Sequence, residues 1–126
     1  MNSSYIDISA ARAEPECYRL PFGTLITNGV MRWQERHQAH WLVTDISAYS
    51  TEIDEPYQFW TLSVPHAPDR KPGGLATASL TCVADEGLPP LKEVTPIFTD
   101  MPEGEHRLWL IRGPGSPDVI MLPEEY

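Results

Sequence analysis

The spacing of apolar residues changes from helical to alternating close to residue 55. Val30, Trp33, His37 and Trp41 recur three and four positions apart, which places them on one stripe of a helix. Arg32, Glu35 and Arg36 fall mostly off that stripe. Thr27-Asn28-Gly29 supplies the start signal, because a Thr or Asn oxygen can accept from the free N–H groups of a first turn. Leu42, Ile46 and Tyr49 continue the spacing from Trp41 onward, with a bend expected at His37-Gln38-Ala39-His40. Beyond the acidic turn Glu52-Ile53-Asp54-Glu55-Pro56 the period becomes two. Gln58, Trp60, Leu62 and Val64 alternate with Tyr57, Phe59, Thr61 and Ser63. Ala76, Ala78, Leu80 and Cys82 alternate with Thr77, Ser79 and Thr81.

These two strands flank a Pro- and Gly-punctuated hairpin loop over Pro65–Gly74. Further strands are predicted near Thr95–Thr99, Arg107–Arg112 and Asp118–Leu122, the last two joined by Gly113-Pro114-Gly115-Ser116-Pro117. Cys17–Ile26 is broken by Pro21 and Gly23 and reads as a loop with at most a short strand. Successive strands joined by turns imply an antiparallel sheet. The pattern therefore predicts an α+β domain, with an N-terminal helical hairpin or bent helix packed on about four to five strands. Residues 1–16 read as a flexible N-terminal arm, and residues 17–126 as a single domain.

Composition agrees with a folded chain. Apolar residues make up 41%, and four Trp and five Tyr supply large side chains for one core. No apolar run approaches the roughly 18 residues that span a bilayer, and no secretory signal is visible. A cytoplasmic location is expected, with Cys17 and Cys82 reduced.

Charge adds a direction. Eighteen acidic residues oppose nine basic ones, a net −9. Such a chain repels nucleic-acid phosphates and anionic membranes and attracts basic protein surface. The acids concentrate in predicted turns: Glu52, Asp54 and Glu55; Asp85 and Glu86; Asp100, Glu103 and Glu105; and the tail Glu124-Glu125. On the predicted first helix, Arg32 and Arg36 outnumber Glu35, which argues against a helix imitating a DNA backbone.

Catalytic chemistry finds little support. His37 and His40 form an H-x-x-H at helical spacing, yet a zinc site needs a third and usually a fourth ligand, and neither cysteine has a second nearby. The simpler reading is one partly buried histidine and one facing solvent. His66 and His106 fall in predicted loops. Asp45 is a general-base candidate only with a partner; the plainer expectation is a cap, or a pair with Arg32 or Arg107. No serine sits in a G-x-S-x-G elbow, neither cysteine has an activating neighbour, and Gly73-Gly74 lacks a phosphate-binding loop's Lys. Arg70-Lys71 is too small a basic cluster for nucleic acid. Trp33, Trp41, Trp60 and Trp109 read as core. No catalytic residue, metal or cofactor is assigned.

The motifs Thr27-Asn28-Gly29, Trp41-Leu42-x-x-Asp45-Ile46, Phe59-Trp60-x-Leu62, Leu80-x-Cys82, Ile97-Phe98-Thr99-Asp100-x-Pro102 and Leu122-Pro123-x-Glu125-Tyr126 occur in this order. In this the chain resembles a domain-of-unknown-function family of small bacterial, plasmid and phage proteins, over about Tyr18–Tyr126. It departs from that pattern at Asn28, where an Asp is associated, at His40, where an aromatic is usual, and in a longer loop after Val64. The resemblance implies one compact α+β domain in a mobile-element setting and brings no activity with it.

The expected function is that of a non-enzymatic protein-binding inhibitor from a mobile element. Its acidic loops would act on a basic surface of a host nucleic-acid-handling or defence complex such as a CRISPR effector. The alternatives are a small cytosolic enzyme built on Asp45 with His37 or His40, and a homodimeric accessory protein. The last would use the uncharged strands Tyr57–Val64 and Leu75–Val83, which can accept another chain if either is an edge.

Overall fold

The computed structural model describes residues 17–126. The arm expected over residues 1–16 lies outside the described residues. The chain runs β1 (Cys17–Arg19), β2 (Leu25–Thr27), α1 (Asn28–His37), α2 (His40–Ser50), β3 (Tyr57–Val64), β4 (Ala76–Val83), β5 (Lys92–Thr99), β6 (Gly104–Ile111) and β7 (Val119–Met121), and ends in a 3₁₀ turn, Pro123–Glu125.

The fold is α+β, as expected, but the sheet is larger than predicted. Seven strands lie in the order β1-β2-β7-β6-β3-β4-β5. All pairs are antiparallel except β2 with β7. The two extra strands, β1 and β2, have three residues each and are separated by Pro21 and Gly23, too short for alternation to show. Their pairing is long-range: Leu25 lies beside Val119 and Ile26 beside Ile120. Near the other end, β6 begins at Gly104, three residues before the predicted start, because Gly104, Glu105 and His106 carry no apolar signal.

The bend between the helices falls where it is expected. Gln38 adopts a left-handed conformation at φ 52°, and the Ala39 amide closes the first helix on Gln34 O at 2.8 Å. The stripe on α1 differs from the predicted one. Val30 and Gln34 are its buried residues, while Trp33 packs only partly against the core. Thr27 is the helix N-cap, its Oγ1 accepting from the Val30 amide at 3.2 Å.

Alternation in β3 and β4 sends Gln58, Trp60, Leu62 and Val64, and Ala76, Ala78, Leu80 and Cys82, to one face. That face meets Val30, Leu42, Val43 and Ile46 of the helices in a single core, with Tyr49 stacked on Trp60 at 6.3 Å. Two polar joints fasten the layers. Buried Gln58 donates through Nε2 to Ile53 O and Glu55 O, and its Oε1 accepts from the Trp60 indole. Arg112 donates to Ser50 O and Ile53 O while forking onto both carboxylate oxygens of Asp118. One guanidinium thus ties the end of α2 to the β6–β7 turn.

β3 lies between β6 and β4, and β4 between β3 and β5. Neither is an edge, so neither can accept another chain by strand addition. The edges among the described residues are β1 and β5; β5 carries Lys92, Glu93 and Pro96, residues that blunt such pairing.

Candidate functional site

With both helices on the Trp60 face, the other face of the sheet carries no α-helix among the described residues and is covered in part by Tyr126. Register fixes what this face presents. Val83, Phe59, Trp109 and Met121 lie in one row across β4, β3, β6 and β7. The neighbouring row, Tyr57, Ile111 and Val119, is also apolar. Beyond Phe59 the character changes to Thr81, Thr61 and Arg107, then Ser79, Ser63 and Glu105. The open face is therefore apolar toward the start of β3 and hydroxyl-rich toward its end.

Each half holds a cleft. The first, of about 420 Å³, is lined by Phe59, Thr61, Val83, Asp85, Glu86, Arg107 and Trp109. Phe59 meets Trp109 edge-on, with centroids 4.9 Å apart at 73°, and Tyr126 also packs on Trp109, at 5.3 Å. The second, of about 430 Å³, lies among Ser63, Thr77, Ser79, Thr95, Glu103 and Glu105.

The acidic residues singled out from sequence do not form one continuous rim. Glu52, Asp54, Glu55, Asp85 and Glu86 collect at the end where β3 starts, because Phe59 pairs with Val83 and so brings residues 84–91 beside residues 51–56. The Lys92–Glu52 ion pair, at 3.3 Å, closes this juxtaposition. Asp100, Glu103 and Glu105 lie at the opposite end of the strands. There Glu103 contacts His66 Nδ1 at 2.8 Å, and Glu105 pairs with Arg107 and accepts from Ser63. Asp85 and Glu86 are exposed and stand in no ion pair with a described residue. Glu124 is exposed in the 3₁₀ turn. Glu125 is occupied at the start of α1, where its Oε1 accepts from Thr27 Oγ1 and the Leu122 amide, both at 2.8 Å.

The histidines are spread across the helical side and one end of the sheet. His37 ends α1 half-buried and His40 begins α2 exposed, as the simpler reading expects. His37 lies between Trp33 and His106, its centroid 6.1 Å from that of His106. Burial first, then the His106 and Arg36 charges, hold its pKa below the ordinary value. No group of three or more His, Cys, Asp or Glu side chains converges on a metal-sized site among the described residues. Asp45 makes no ion pair with a described residue, and Arg107 is taken by Glu105. Burial raises the Asp45 pKa. Arg70 donates to Thr99 O and Met101 O, fastening the long β3–β4 loop. Cys17 and Cys82 are unbonded.

Two of the sequence motifs meet in space, since Thr27-Asn28-Gly29 lies against Glu125. The chain belongs to the Family of unknown function (DUF6876), which matches residues 5–126. No curated protein and no solved structure matches it. The family match takes in residues 5–16 as well as the whole described domain.

Sequence reasoning missed Trp109 as part of an open site. Its alternation in β6 resembles that of a core strand, but register with Phe59 puts it on the uncovered face. The available signal was the pair Tyr57 and Phe59, two aromatic residues on the same side of the strand as Thr61 and Ser63.

Proposed function

We propose that this protein is a non-enzymatic binding protein whose acidic loops engage a basic surface of a protein partner. The observation that carries this reading is the gathering of Glu52, Asp54, Glu55, Asp85 and Glu86 at one end of the sheet, next to an apolar cleft. Clustered carboxylates steer a basic partner during encounter, and an adjoining apolar surface then supplies area that water leaves on docking. Nucleic-acid-handling complexes concentrate lysine and arginine on single faces, so a host complex of that kind, such as a CRISPR effector, is the partner class proposed. The protein would act there as an inhibitor carried by a mobile element.

Immobilised protein exposed to host-cell lysate tests this. Three forms are compared: the native chain, a variant neutralised at the β3-start end (Glu55→Gln, Asp85→Asn, Glu86→Gln) and one neutralised at the other end (Asp100→Asn, Glu103→Gln). A specific partner is expected on the native chain and the second variant, absent from the first, and released near ~0.5 M salt as screening shortens the reach of exposed charge. Retention of no protein at low salt, or equal retention by all three forms, would sink the reading.

A further inference from the structure

We propose that the cleft between Phe59, Val83 and Trp109 receives an arginine side chain of a partner protein. This deepens the function proposed above and rests on it for the partner's basic character. The cleft, about 420 Å³, is within the size range of ligand-binding clefts. Its lining joins the aromatic Phe59 and Trp109 and the aliphatic Val83 to Thr61 and Arg107, and includes two carboxylates, Asp85 and Glu86, that stand in no ion pair with a described residue. Asp85 spends one oxygen on the Glu86 amide, accepting at 2.7 Å, which fixes the carboxylate at the turn and leaves its other oxygen without a described partner. Phe59 and Trp109 meet at 73°, so the cleft has two walls at a steep angle. Arg107, the cation that also lines it, is held by Glu105 at 3.0 Å one row further along the sheet.

A guanidinium suits both parts of this surface. Its plane stacks on aromatic rings, and its N–H fork reaches carboxylates at the edge. An ammonium is a more strongly hydrated point charge and stacks less well. A neutral ureido group of the same shape keeps the stacking plane and loses the charge that Asp85 and Glu86 favour. Anionic ligands meet those two carboxylates directly and are excluded.

The test uses the full isotope-labelled chain and follows the Trp109 indole N–H by NMR while acetyl-Gly-Arg-Gly-amide is added. The citrulline counterpart serves as the uncharged control. The arginine peptide is expected to move the Trp109 signal, and the citrulline peptide to bind about tenfold more weakly. Asp85→Asn with Glu86→Gln should weaken the arginine peptide by a similar factor, whereas Asp100→Asn with Glu103→Gln should leave it unchanged. Equal binding of arginine and citrulline, equal binding by both double variants, or a Trp109 signal that responds only to the protein's own concentration would overturn the proposal. The last result would assign the cleft to a second copy of the chain. Partner capture that depends on the β3-start carboxylates while the peptide fails would remove the arginine pocket alone. A peptide that binds while no partner is captured would leave the pocket standing and remove the wider reading.

Discussion

The Glu125 carboxylate lies directly over the backbone of Gly29, where any side-chain carbon would overlap it. The same carboxylate accepts from Thr27 Oγ1 and from the Leu122 amide. It brings negative charge to the positive end of α1 and joins two motifs almost a hundred residues apart.

Gly29→Ala therefore sets two effects of similar size against each other. Alanine gains about 1 kcal/mol of helix propensity over glycine. Displacing the carboxylate loses about 0.3–1 kcal/mol of favourable charge at the helix end. In the native chain the substitution is expected to be nearly neutral in urea unfolding, and in an Glu125→Ala background clearly stabilising. Additive effects across this double-mutant cycle would show that the carboxylate does not restrict position 29.

Arg112 carries more. Its guanidinium holds Ser50 O and Ile53 O on one side and both Asp118 oxygens on the other. The Asp118 hydrogen bond, with help from the Asp118 and Asp54 charges, keeps its pKa above the ordinary arginine value. Arg112→Ala is expected to cost about 2–3 kcal/mol, because it frees carbonyls and leaves a half-buried carboxylate unpaired. Arg112→Lys should recover only part of this, since an ammonium cannot fork. Full recovery by lysine in denaturant titration would count against the bidentate role.

Gln58 has no exposure, and both ends of its amide are partnered. Gln58→Leu fits the volume but leaves the Trp60 indole N–H and two carbonyls without their partner. The expected loss is about 1–3 kcal/mol, with a change in Trp60 fluorescence. A variant as stable as the native chain would show that water replaces the amide.

How much of this was legible from sequence depended on element length. β3 and β4, with eight residues each, show clean alternation, whereas the helical spacing runs on through Trp41 and does not by itself divide the two helices at Gln38. β1 and β2 were not legible, because three residues cannot display a period and their partners lie far along the chain. The site was legible in pieces. Asp85 and Glu86 read correctly as a turn, but only strand pairing places them beside Glu52–Glu55. Glu125 read as one more acid in an acidic tail, because its position over Gly29 depends on the path of the last five residues back to α1. Trp109 read as core because alternation defines two faces without saying which one the helices cover.

His37 gives the domain an acid sensitivity of known sign. Its folded pKa lies below the ordinary 6.5, so the unfolded chain takes up the proton first. Stability is then full above 6.5 and declines as pH falls through that value toward the lower folded one. His106→Gln removes one of the groups that lower the His37 pKa and should flatten the decline as pH falls below 6.5. Urea unfolding across that interval would show it, and identical slopes for the two proteins would exclude the His37–His106 coupling.

Cys82 should titrate at the other end of the pH scale. It is fully buried on the core face of β4, and burial pushes its pKa from 9.0 up to about 12. Thiolate is the reactive form, so Cys82 is expected to resist thiol reagents at pH 8 in the folded protein. Cys17 is half-exposed in β1 and should label. One thiol per chain should therefore react under native conditions, and both in denaturant. The sign for stability follows from the raised folded value. The contribution is complete below 9.0 and is lost as pH rises toward about 12, since the unfolded chain releases that proton first. Cys82→Ala leaves a cavity but should remove this alkaline slope, whereas Cys17→Ala should keep it. Rapid native labelling of both thiols would show that the β4 core face opens far more readily than its burial implies.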